Sequence, residues 1–223
     1  DIDIMALQTI WGESKSTKIL DFNEGNGLFM SGERKTLFVD GNHSNFYVVQ
    51  LENSDSNITV NGSKGWQISG SNIGTDTIIG FKRLEFNDGT LALDIDPGDT
   101  AGQAYRLYQA AFARVPDMPG VAYHMNDMES NGLVLWNIAN NFLASPEFKS
   151  KYGENPTDEE YVNLLYQNVL GRSADPVAEV GWYREQFDTG AMDWAAALIG
   201  FAESPENVLL VAPQIEDGIW MPF

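Results

Sequence analysis

The rhythm of apolar and polar positions changes once along the chain, near Pro97. Before it, apolar residues come in short β-branched or aromatic runs broken by Gly, Asn, Asp and Ser, the pattern of brief strands joined by tight turns. The runs predict strands at Ile2–Leu7, Thr36–Val39, Phe46–Leu51, Asn57–Val60, Trp66–Ser69, Arg83–Phe86 and Thr90–Leu93. Asp40-Gly41, Asn61-Gly62 and Asp88-Gly89 mark turns between them. Such close spacing predicts antiparallel hairpins or a ladder of short strands. Phe46–Leu51 is apolar on both faces and is expected to be covered twice. Arg83-Leu84-Glu85-Phe86 alternates, so its apolar face is expected to turn inward and its charges outward.

After Pro97 the period becomes helical. Ala104, Leu107, Tyr108, Ala111 and Phe112 line one apolar stripe. Thr157-Asp158-Glu159-Glu160 reads as a helix start, with a hydroxyl N-cap, Glu160 completing a capping box, and negative charge at the positive end of the helix dipole. The change of grammar falls in Asp94-Ile95-Asp96-Pro97-Gly98-Asp99, which separates a β-rich domain over 1–97 from a helical domain over 98–223.

The helical half repeats itself. At one constant offset, Ala104, Leu107, Tyr108, Ala111 and Phe112 fall on Val162, Leu165, Tyr166, Val169 and Leu170. Gln109 falls on Gln167, Arg114 on Arg172, Asp117 on Asp175, Gly132 on Gly190 and Trp136 on Trp194. One inserted residue later, Ser145-Pro146-Glu147 falls on Ser204-Pro205-Glu206. Each unit reads as a helix, a turn carrying an Arg and an Asp, a second helix, a Gly break, a third helix bearing a Trp, and a short fourth helix. In Ser-Pro-Glu the Ser is an N-cap, Pro takes a position where its missing N–H costs nothing, and Glu meets the dipole. The expected fold class is α+β: a small β-rich N-terminal domain of short antiparallel strands, then an all-α domain of two quasi-repeated units, at about 101–156 and 157–215.

Charge and residue inventory narrow the functions. With 32 acidic and 13 basic residues the formal net charge is −19, which argues against nucleic acid, whose binding draws on cationic side chains, and against an anionic membrane surface. No apolar run approaches the ~18 residues that would span a bilayer. Zero cysteines exclude thiol nucleophiles, disulfides and thiolate metal sites, and two histidines, His43 and His124, fall short of the usual zinc sets. There is no Gly-x-Ser-x-Gly elbow, phosphate loop, dinucleotide glycine motif or His-Glu-x-x-His. The expectation is a protein that is not an enzyme.

Tyr105-Arg106-Leu107-Tyr108-Gln109-Ala110-Ala111-Phe112, then Arg114, Pro116-Asp117 and Gly120, together with Leu164 through Arg172 and the two Ser-Pro-Glu triplets, resemble the domain of unknown function 4214 family over about 101–215. That family is a helical repeat module of bacterial secreted and surface proteins. The chain departs from its pattern at His124, where a Trp is usual, and at Ala178, where the pattern has a Gly like Gly120. Upstream, Gly74-Thr75-Asp76-Thr77-Ile78-Ile79-Gly80-Phe81 and Leu84-Glu85-Phe86-Asn87-Asp88-Gly89-Thr90-Leu91-Ala92-Leu93-Asp94 resemble the segment that follows the calcium-binding repeats of RTX proteins. This resemblance implies type I export from a Gram-negative bacterium, secretion or display at the cell surface, a larger parent chain, and calcium as a cofactor. The nonapeptide Gly-Gly-x-Gly-x-Asp itself is missing from the sequence.

Candidate sites follow from residue chemistry, each beside a plainer reading. Asp76, Asp88, Asp94, Asp96 and Asp99 offer the hard oxygens calcium prefers, with Asp94, Asp96 and Asp99 clustered where they would clamp the two halves; the alternative is turns, a solvated linker and a helix cap at Asp99. Trp136, Trp194, Trp182 and Tyr183 offer an aromatic platform for a glycan; the alternative, for the repeated Trp136 and Trp194, is core packing. Arg114 with Asp117 and Arg172 with Asp175 are expected to pair across their turns as structural ties, the alternative being a binding site there. The final Gly218-Ile219-Trp220-Met221-Pro222-Phe223 is either an ordered terminus or an export signal read by secretion machinery. The functional expectation is a structural or adhesive module, with two others beside it: a glycan- or peptide-binding module of an adhesin, and an accessory region of a secreted hydrolase.

Overall fold

A computed structural model describes residues 81–222 without a break and, ahead of them, strands β1 Thr17–Ile19, β2 Thr36–Phe38, β3 Phe46–Val48, β4 Ser56–Val60, β5 Trp66–Gly70 and β6 Gly74–Ile79. The expected strand at Ile2–Leu7 and the loop around His43 lie outside the described residues. The chain divides into two units, Asp1–Asp94 with Asp217–Phe223, and Ile95–Glu216.

The described strands of the first unit form two sheets. One runs β1-β2-β6-β5-β4; the other runs β3-β7-β8-β9, with β7 at Arg83–Phe86, β8 at Gly89–Ala92 and β9 at Ile219–Pro222. Turn-linked neighbours pair antiparallel, as the turn signals imply: β4 with β5, β5 with β6, and β7 with β8. The pairs β1–β2, β2–β6 and β3–β7 are parallel. Tight-turn signals govern only consecutive strands, whereas parallel partners are joined by longer connections that leave no local mark.

In β7 and β8 the apolar face is as the alternation requires, with Leu84, Phe86 and Leu91 buried and Glu85 exposed. Arg83 departs from the expected outward direction: it is buried and ion-paired with buried Asp94. The last strand also departs from the expected boundary, which places the terminus in the helical domain over 98–223. Ile219 and Trp220 add β9 to β8, and Phe86 meets the Trp220 ring edge-on at 5.7 Å. Gly89 is what admits the strand, because a Cβ there would sit 2.5 Å from the Met221 carbonyl oxygen and 2.6 Å from the Trp220 ring.

The second unit is eight helices in two matching sets. The first set is α1 Thr100–Phe112, α2 Met118–Glu129, α3 Leu135–Ala144 and α4 Pro146–Tyr152. The second is α5 Asp158–Leu170, a π-helical turn Pro176–Val180 running into α6 Gly181–Asp188, α7 Trp194–Ala202 and α8 Pro205–Ile215. The capping signals act as written. The Thr157 N–H donates to Glu160 Oε2 at 2.8 Å while Glu160 N–H returns a bond to Thr157 Oγ1 at 3.2 Å. Ser145 and Ser204 accept from the Phe148 and Asn207 N–H groups. The first helices end at equivalent residues in the left-handed region, Gly171 at φ 67° and Ala113 at φ 50°, the second an unusual place for a side chain.

The extra residue of the second set lies earlier than the sequence comparison placed it. The π-helical turn at Pro176–Val180 absorbs it, so that from Val121 and Val180 onward the equivalences advance by one. Val121 matches Val180, Phe142 matches Phe201 and Ser145 matches Ser204, each pair alike in burial. Trp136 and Trp194 are therefore not structural counterparts. Trp136 is the second residue of α3 and 46% exposed; Trp194 is the first of α7 and stacks on Tyr161 at 4.4 Å.

One hydrophobic core serves both sets. Leu107, Tyr108, Ala111, Phe112, Ile138 and Phe142 of the first pack in the same cluster as Val162, Leu165, Tyr166, Leu198 and Phe201 of the second. At its centre is α1, which packs against α2, α3, α4, α5, α7 and α8 and is buried at ten of its positions, Arg106 included. Arg106 donates through Nε to Glu203 Oε1 at 2.6 Å, through Nη2 to Glu203 Oε2 at 2.9 Å, and to the Ile95 and Asp96 carbonyls at 2.8 and 3.1 Å. Tyr105 Oη donates to Gln214 Oε1 on α8. The equivalent face of α5 is polar instead, with Glu160 and Asn163 beside half-buried Leu164. Because Glu203 would be left with a charge in a mostly closed site, Arg106→Ala is expected to lower stability by about 3–5 kcal/mol, and an apolar pair at both positions to recover much of it. Urea denaturation of the two variants measures this; a loss below about 1 kcal/mol would mean the pair is solvated like a surface one.

Candidate functional site

The groups that recur with partners in both sets surround the turn after the first helix. Tyr108 and Tyr166 project from α1 and α5 at the end of the apolar stripe, and the following Arg folds back over each ring. Arg114 Cζ lies 5.1 Å from the Tyr108 centroid and Arg172 Cζ 4.7 Å from that of Tyr166. Arg114 Nε donates to Glu147 Oε1 at 2.7 Å, and Nη2 donates to Tyr108 Oη at 3.0 Å and to Asp117 Oδ2 at 3.3 Å. Tyr108 Oη donates to Asp117, whose other oxygen accepts the Gly120 N–H at 2.9 Å and starts α2.

In the second set Arg172 grips two carboxylates by fork. Nε and Nη2 donate to the two oxygens of Glu206 at 2.8 and 3.0 Å, and Nη1 and Nη2 to those of Glu179, both at 3.0 Å. The expected Arg172–Asp175 pair is not made. Asp175 Oδ1 caps the π-helical turn instead, accepting from the Val177 and Ala178 N–H groups, and Glu179 takes the guanidinium. The turn places Glu179 within reach of Arg172. Sequence reading also gave the Ser-Pro-Glu glutamates only a dipole role, whereas Glu147 and Glu206 each tie a fourth helix to the first. Recurrence of Arg and Glu at matched places in both copies was the available signal.

The carboxylates of both clusters are held in their charged form. The Tyr108 hydroxyl, the Gly120 N–H and Arg114 keep Asp117 ionised below its ordinary range; Arg172 does the same for Glu179 and Glu206. Burial pushes Tyr166 up to about 12. The Arg114 and Arg172 side chains remain 38% and 39% exposed, so each pair is worth only about 0–1 kcal/mol. Their contribution is orientation more than stability.

Behind each clasp lies a trio of rings. Tyr108, Phe142 and His124 meet in the first set; Tyr166, Phe201 and Tyr183 meet in the second. His124 thus occupies the place of Tyr183, not that of Trp182. Its Nδ1 stands 3.5 Å from Asp127 Oδ2, too far for a good hydrogen bond, and is otherwise without a partner. Burial holds the imidazole below its ordinary value of 6.5 against the pull of Asp127 and Asp117.

The sequence-predicted aromatic site is scattered. Trp194 and Tyr183 are half-buried against the core, Trp136 and Trp182 are exposed, and Trp182 touches Tyr183. Trp136 Nε1 donates to Asp193 Oδ2 of the second set at 2.8 Å, and Trp194 Nε1 to Asp158 Oδ1 at 2.7 Å. Neither Trp joins the other in a platform.

Among the described residues no three His, Cys, Asp or Glu converge as metal ligands. Asp94 is held by Arg83, and Asp96 gives its carbonyl to Arg106. Asp99 is the N-cap residue of α1 with no side-chain cap bond, and Asp88 sits in the β7–β8 turn. Asp76 lies on β6, and its side chain is outside the described residues. An open groove of about 730 Å³ runs beside the start of α5, lined by Lys151, Glu154, Asn155, Thr157, Asn163 and Gln167 among others.

His124 gives the helical unit a distinct acid response. Its folded-state affinity for protons is below the unfolded one, so stability present above pH 6.5 is lost as pH falls below that value, whereas Asp117, Glu179 and Glu206 act only below about 3.8–4.5. Melting temperature measured against pH is expected to decline already as pH falls below 6.5, and His124→Phe to flatten that limb alone. An unchanged limb in the variant would assign it elsewhere.

A family model described as a domain of unknown function (DUF4214) matches residues 139–211, from the third helix of the first set through α8. No curated protein matches the chain significantly.

Proposed function

We propose that this chain is a non-catalytic structural and adhesive module, from the C-terminal region of a larger bacterial protein that is exported by a type I system and held at the Gram-negative cell surface or released. The observation that carries the structural reading is the single core built by both helical sets around α1. Each repeated charge cluster ties a fourth helix back to the first of its own set. The net charge of −19 opposes nucleic acid as the partner. The export reading rests on the likeness of residues 74–94 to RTX-following segments. The pairing of β9 with β8 favours an ordered terminus for this module.

A module of this kind works as one mechanical body, since a single set of about sixty residues buries too little surface to stand alone. Circular dichroism of the chain on heating is expected to give one helical transition, and a piece comprising 101–155 no cooperative transition at all. Cooperative melting of that piece would show the sets to be independent domains and overturn the reading.

A further inference from the structure

Two peptide bonds of the helical unit join an aspartate to a proline, Asp96–Pro97 and Asp175–Pro176, and all four residues are exposed. Such a junction is the most acid-labile peptide bond a protein contains. The aspartate side chain can reach its own carbonyl carbon through a five-membered ring, and proline supplies a tertiary amide whose nitrogen leaves as a basic secondary amine. The sequence presents the two bonds alike; the structure separates them.

At Asp175 the carboxylate is committed. Its Oδ1 accepts from the Val177 and Ala178 N–H groups at 2.9 and 2.7 Å, and its carbonyl accepts from the Glu179 and Val180 N–H groups of the same π-helical turn. Bringing that side chain back onto its own carbonyl would break both cap bonds. Asp96 instead opens a turn, followed by Pro97 and by Gly98 at φ 90°, and closed by the Asp99 N–H donating to the Asp96 carbonyl at 3.0 Å. The same carbonyl oxygen accepts from Arg106 Nη2 at 3.1 Å, and the Arg106 side chain is only 1% exposed. Among the described residues nothing donates to the Asp96 carboxylate. The Asp96 carbonyl therefore holds two donors, one of them a cation shielded from water, at the oxygen where negative charge develops when a nucleophile adds to its carbon.

We propose that the folded chain cuts itself at Asp96–Pro97 in mild acid, with Arg106 and the Asp99 N–H stabilising the oxyanion. A side-chain oxygen of Asp96 in its acid form bonds to the Asp96 carbonyl carbon, the carboxyl proton passes to the Pro97 nitrogen, and the C–N bond breaks. This leaves a cyclic anhydride on Asp96, which water opens to two carboxyl groups, and a new chain start at Pro97. Water is the one further reactant. The event is a single turnover within the chain and goes beyond the structural role proposed above. It parts 1–96 from 97–223 while β9 of the second piece is still paired with β8 of the first.

The test incubates the full chain at the lowest pH at which circular dichroism shows the native helices, beside the same chain in urea at that pH, and identifies the pieces by mass spectrometry after dissociation in denaturant. The expected result is a piece beginning at Pro97 that accumulates about tenfold faster, or more, than one beginning at Pro176, with that preference lost in urea. Asp96→Glu, which requires a larger ring at an exposed position, is expected to slow the cut about tenfold or more. Arg106→Met combined with Glu203→Met, an apolar exchange of the whole buried pair, is expected to slow it about tenfold or more by removing one donor. Absence of the Pro97 piece, equal cutting at both junctions of the folded chain, or faster cutting at Asp96–Pro97 in urea than in the folded chain would each overturn the proposal. An unchanged rate in the folded double variant would overturn the part assigned to Arg106.

Discussion

The helical unit depends on the enclosure of a single helix. A helix that is covered on every side must be built of small and apolar residues, and any charge on it must bring a partner into the interior. Helix α1 meets the first demand with Ala101, Gly102, Ala104, Ala110 and Ala111, and the second with Arg106, whose donors are shared between Glu203 and the carbonyls of Ile95 and Asp96. The remaining helices take their places from it: α2, α3 and α4 from its own set, α5, α7 and α8 from the other. The pair between Arg106 and Glu203 also fixes which end of the second set lies against the start of the first, a registering role that apolar contact alone supplies poorly.

Around this centre the two sets use one local device, an arginine lying over a tyrosine and reaching a glutamate at the start of the fourth helix. The device tolerates change. In the first set Asp117 serves both as helix cap and as ion partner; in the second these duties separate between Asp175 and Glu179 once the π-helical turn intervenes. The ring trio behind it likewise accepts His124 or Tyr183. What persists between the copies is geometry, and individual residue types are exchanged within it.

Much of this was legible in the sequence. The apolar stripe at Ala104–Phe112, its recurrence at Val162–Leu170, and the capping triplets fixed helix identity, order and starts, because those signals are local. The hairpin of β7 and β8 was legible for the same reason. What escaped was non-local. Arg106 in an apolar stretch gives no hint of Glu203, nearly a hundred positions away. Parallel strand pairs and the return of Ile219–Pro222 to β8 leave no turn signature. The matching of Trp136 with Trp194 shows a different failure: identical residues suggested a register that the backbone does not keep, since a single insertion was absorbed upstream in a turn whose sequence, Pro176-Val177-Ala178-Glu179-Val180, looks like ordinary helix.

The polar outer face of α5 carries a consequence for growth of the array. Where α1 offers Gly102, Tyr105 and Arg106 to the elements that close over it, α5 offers Glu160 and Asn163. A third copy stacked on α5 in the manner of the second on α1 would trap a carboxylate and an amide with no counterparts supplied by the consensus of either existing copy. Growth in that manner would require a third copy that brings polar partners of its own for Glu160 and Asn163.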